Sequence, residues 1–112
     1  MQEFIDYLDG RIASVRAEIA ALEAEGRGDD ANLEKVRANI YEVCRTVTIA
    51  LKDRPGAGAA AIEARLAGFR DVWGAALEKA RTHGNAAAAA VEEIKLEALA
   101  DAAARFREAL AK

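Results

Sequence analysis

The residues able to do covalent chemistry are few: one cysteine, Cys44, one histidine, His83, and one serine, Ser14. A nucleophilic site needs a nucleophile, a base within reach and a third group that orients the base. Cys44 falls one helical step outside the line Ile40, Val43, Val47, where a thiol packs as a small hydrophobe. Ser14 falls on a helix face away from the apolar line of its own segment. His83 stands beside Gly84 in a break between segments. No triad can be assembled from this spacing. Metal chemistry fares no better, because a zinc site needs four His, Cys or carboxylate ligands and a bundle di-metal site needs Glu-x-x-His pairs. No Glu precedes His83 by three, and no metal or cofactor is expected. Gly56-Ala57-Gly58 lacks the lysine and serine or threonine of a phosphate loop.

The remaining chemical possibility is recognition of an anion. Arg16, Arg37 and Arg45 flank the apolar lines of the first two segments, close to Asn39 and Glu42. Turned inward together, they would form a site for an anionic small molecule, in a binding bundle or a small helical enzyme. Turned outward, their stems would lie along the apolar surface with the charges in water. The second outcome is the simpler one, and the first serves as the alternative functional reading.

These residues are positioned by four long helix-forming runs, Gln2 to Glu25, Asp29 to Asp53, Ala59 to Thr82 and Ala86 to Ala111. In the first, Ile5, Leu8, Ile12, Val15, Ile19 and Leu22 alternate spacings of three and four. That 3.5-residue period keeps one seam facing a partner helix. Leu33, Val36, Ile40, Val43 and Val47 repeat it in the second run. Ile62, Leu66, Phe69, Trp73, Ala76 and Ala80 repeat it in the third. In the fourth, Val91, Ile94 and Ala98 begin a seam that Leu99, Ala103, Phe106 and Leu110 continue one residue out of phase. Gly26 and Gly84 supply helix stops, Asp29 and Asn85 candidate caps, and Pro55 a break before Gly56. Glu23/Arg27, Asp101/Arg105 and Glu108/Lys112 are spaced for ion pairs along a helix. Gly68 and Gly74 inside the third run suggest a close contact or a bend beside Trp73.

Matched lengths and short breaks predict one all-α domain over 1–112, an antiparallel up-down-up-down four-helix bundle with glycine-marked loops. Alanine is uneven, with 8 in residues 1–55 and 21 in residues 56–112, so the second half has thin helices. The net charge of −3 does not supply the basic face that nucleic acid requires. No uninterrupted apolar stretch is long enough for a membrane span. Glu3, Asp6 and Asp9 at the start are unlike a secretory leader, so a cytoplasmic location is expected.

Function must therefore lie on surfaces. Phe4, Tyr7, Tyr41, Ile49, Val72 and Leu96 fall off the seams and form the candidate interaction surface. The expectation is a non-catalytic structural or protein-interaction module that self-associates as a homodimer or higher oligomer, or binds another helical protein. An exchanged dimer, with the third and fourth helices swapped across Pro55 to Gly58, is compatible with the same pattern.

Overall fold

The computed structural model describes residues 1–112 and contains four helices and no strands. Helix α1 covers Gln2–Ala24, α2 Gly28–Leu51, α3 Gly58–Thr82 and α4 Ala86–Ala111. Gly26 and Gly84 adopt left-handed backbone, with φ of 75° and 66°. Each lets the chain fold back on its helix: Arg27 N–H donates to Leu22 O and Asn85 N–H to Ala80 O, satisfying carbonyls the helix leaves open. Asn85 caps α4 as expected, its side chain accepting from Ala88 N–H at 3.0 Å. Asp29 does not cap α2. The helix starts one residue earlier, and Arg27 instead pairs with Asp30 and Glu25.

Ion pairs and hydrogen bonds between helices fix the direction of each rod. On α1 and α2, Asp9 meets Arg45 and Glu23 meets Lys35, so those helices are antiparallel. Glu63–Arg107 and Arg81–Glu93 show the same for α3 and α4. Between α2 and α4, Arg37 meets Glu97 and Tyr41 meets Asp101, each 60 positions apart, so this pair runs parallel. The topology is up-down-up-down.

The cross-section is not square. Helices α2 and α4 lie against each other across what would be a diagonal, whereas α1 and α3 do not touch. The molecule measures 46 × 34 × 20 Å, and its thin dimension is about two helix diameters. Its radius of gyration of 15.2 Å exceeds the roughly 13 Å of a fully compact chain of this length. Small side chains permit the diagonal approach: Ala38, Cys44, Ala98 and Ala102 are all buried in the central cluster. Because α2 packs on three neighbours, its buried face is broader than the expected seam and shifted. Ala31, Ala38, Tyr41, Cys44 and Thr48 are buried, while Leu33, Val36 and Val43 are only half-buried.

The core occupies one half of the molecule. Phe4, Leu8, Ile12, Ile40, Ile62, Leu66, Leu99 and Phe106 form a dry cluster between the chain termini and the α2–α3 loop. Phe4 and Phe106 meet edge to face at 5.3 Å, a contact worth about 1 kcal/mol beyond the area buried. Toward the Gly26 and Gly84 loops, Leu22 is the one large apolar residue that is buried. Ala31, Ala80 and Ala89 fill the rest of that end's buried positions.

Glycine usage divides accordingly. A Cβ on Gly58 would sit 2.5 Å from the Lys52 carbonyl oxygen, so only glycine lets α3 start this close to the end of α2. Gly68 and Gly74 do not mark close contacts within the chain, since a Cβ at either meets nothing within 4 Å. In the monomer, Gly68→Ala and Gly74→Ala should each raise stability by about 1 kcal/mol. Gly58→Ala should lower it, and urea unfolding of the three variants checks both signs.

Candidate functional site

Two features stand out from the regular packing: a buried polar node joining the hairpins and an incompletely covered apolar end. The node is built on Asp101 of α4. Its Oδ2 accepts hydrogen bonds from Tyr7 of α1 at 2.5 Å and Tyr41 of α2 at 2.7 Å. Two arginines complete the node: the Arg11 guanidinium lies 5.3 Å from the Tyr41 ring centre and that of Arg105 4.3 Å from the Tyr7 ring centre. The Asp101 carboxylate accepts from tyrosines on two other helices and so ties three helices together.

Burial sets the protonation of the two hydroxyls. Burial, reinforced by the hydrogen bond to Asp101, pushes the Tyr7 hydroxyl up to about 12, and burial raises Tyr41 in the same way. Neither can act as a base or nucleophile near neutrality. The Cys44 thiol is also raised to about 12, by burial, which makes it inert. Thr48 closes its surroundings by donating to the Cys44 carbonyl. Such groups bind their protons more tightly folded than unfolded. Their contribution to stability is whole below the ordinary thiol value of 9.0 and is lost as pH climbs toward 12. The urea midpoint should therefore fall steadily across that window, and a midpoint that stays flat would contradict the burial of these groups.

The structure corrects several sequence expectations. Phe4 and Tyr41 do not belong to a surface: each is 1% exposed, one packed on Phe106 and the other bonded to Asp101. Tyr7 is half-buried in the same node. Ile49 and Val72 are exposed, and Val72, at 64%, is the most exposed large apolar residue. Leu96 is half-buried and lines a groove between α3 and α4.

The arginine group does not assemble. Arg16 pairs with Glu42, Arg37 with Glu34 and Glu97, and Arg45 with Asp9. Each guanidinium is paired with its own carboxylate, and the three share no partner. The expected pairs within helices are replaced by longer-range ones. Glu23 bonds Lys35, Lys112 bonds Glu3, and Asp101 turns inward to the tyrosines, leaving Arg105 to Glu108. No three His, Cys, Asp or Glu side chains are grouped to hold a metal ion. No helix is long and apolar enough to cross a membrane.

The uncovered end carries Ile19, Leu33, Val36, Phe69, Trp73, Leu77, Val91 and Ile94, all half-buried. Every polar or aromatic contact between the two hairpins lies at or above the level of Arg37 and Glu97. Below it, the half-buried charges Glu34, Arg37, Glu92 and Lys95 stand where a core would need oil. One oxygen of Glu92 is buried without a partner, as is the Arg11 Nε in the node of the other half. Phe69 and Trp73 stack at 5.0 Å, nearly parallel, and the Lys95 ammonium lies 5.8 Å from the Trp73 ring centre.

No protein-family model matches the chain, and no curated protein or solved structure is significantly similar to it.

Proposed function

We propose that the protein is a non-catalytic, self-associating helical module whose interaction surface is the end around Phe69 and Trp73. The observation that supports this is the contrast between the two halves. One has a dry core of large side chains, and the other leaves Leu33, Val36, Leu77, Val91 and Ile94 half-buried, with Ile19, Phe69 and Trp73 also half-buried where they pack on the edge of that core. The part of these side chains still open to water gains about 25 cal/mol per Å² when covered. A second copy is the partner always present at matched concentration, and an isologous pairing of this end would cover both surfaces at once. The chemistry of the chain points the same way, because its one thiol is buried and its tyrosines are held protonated.

Light scattering behind gel filtration tests the proposal. The wild type should run as a dimer or larger at hundreds of micromolar and dissociate on dilution. Trp73→Ala and Val72→Asp should shift that equilibrium toward monomer while circular dichroism stays helical. A wild type that is monomeric throughout that range would contradict self-association.

A further inference from the structure

We draw no further inference here: the strongest candidate, the outward face of α1 on which Gly10, Ala13, Ala17, Ala20 and Ala24 recur at spacings of three and four and all stand exposed, is a stripe of small side chains, and nothing in the structure shows what covers it.

Discussion

Asp101→Leu is expected to destabilise the fold by about 3–5 kcal/mol, enough to bring a domain of this size close to unfolding. The substitution removes the one acceptor shared by Tyr7 and Tyr41, which bond it at 2.5 and 2.7 Å from two other helices. Tyr41 is completely buried, so its hydroxyl has no water to turn to, and a buried donor without a partner carries the full cost of desolvation. Arg11 then also lies beside the node without the carboxylate that offsets its charge. Restoring consistency should restore stability. The triple variant Tyr7→Phe, Tyr41→Phe, Asp101→Leu removes the two unpaired hydroxyls with groups of similar shape and should recover their share of the loss, leaving the part due to Arg11. Urea unfolding of the singles, doubles and triple gives the coupling energies directly. Additive costs, with no recovery in the triple, would mean that the tyrosines and Asp101 do not act as one unit.

Ala98→Leu should cost about 2–3 kcal/mol, because it forces bulk into a fully buried position of the central cluster. Ala98 is fully buried, near Ala38 in the central cluster, where α2 and α4 lie together across the diagonal. A leucine there must push these helices apart, loosening the node two turns of contact depend on. The same change at Ala100, which is exposed on the groove wall, should leave stability unchanged or slightly raise it. Thermal melts of the two variants discriminate the flattened arrangement from a square bundle. In a square bundle the diagonal helices stand apart, and Ala98→Leu would fill space and be tolerated.

The four helices, their lengths and their direction were legible because a 3.5-residue apolar repeat and glycine stops are local signals. The first helix shows this best, with Ile5, Leu8, Ile12, Val15 and Leu22 all buried. The packing of α2 was not legible, since the repeat Leu33, Val36, Ile40 describes a helix with one partner and α2 has three. Asp101 and Arg11 escaped notice for a related reason. Each looks like an ordinary charge beside a seam, and Asp101 with Arg105 matches a surface ion pair along one helix. A signal was nevertheless present. Tyr7 and Arg11 are four apart on the flank of the first seam, and Asp101 lies on the flank of the Ala98–Ala102 surface. Only the cross-helix register shows that these flanks face each other. The alanine-rich second half pointed to thin helices, and the groove between α3 and α4 lined by Ala67, Ala100 and Ala103 is the result.

The self-association surface can be watched through the chain's single tryptophan, which lies in that end of the bundle. Emission from Trp73 should move to shorter wavelength as protein concentration rises from micromolar to hundreds of micromolar, in step with the mass measured by sedimentation equilibrium. Emission that stays constant while the mass remains that of one chain would contradict the claim that this end is covered by a second copy.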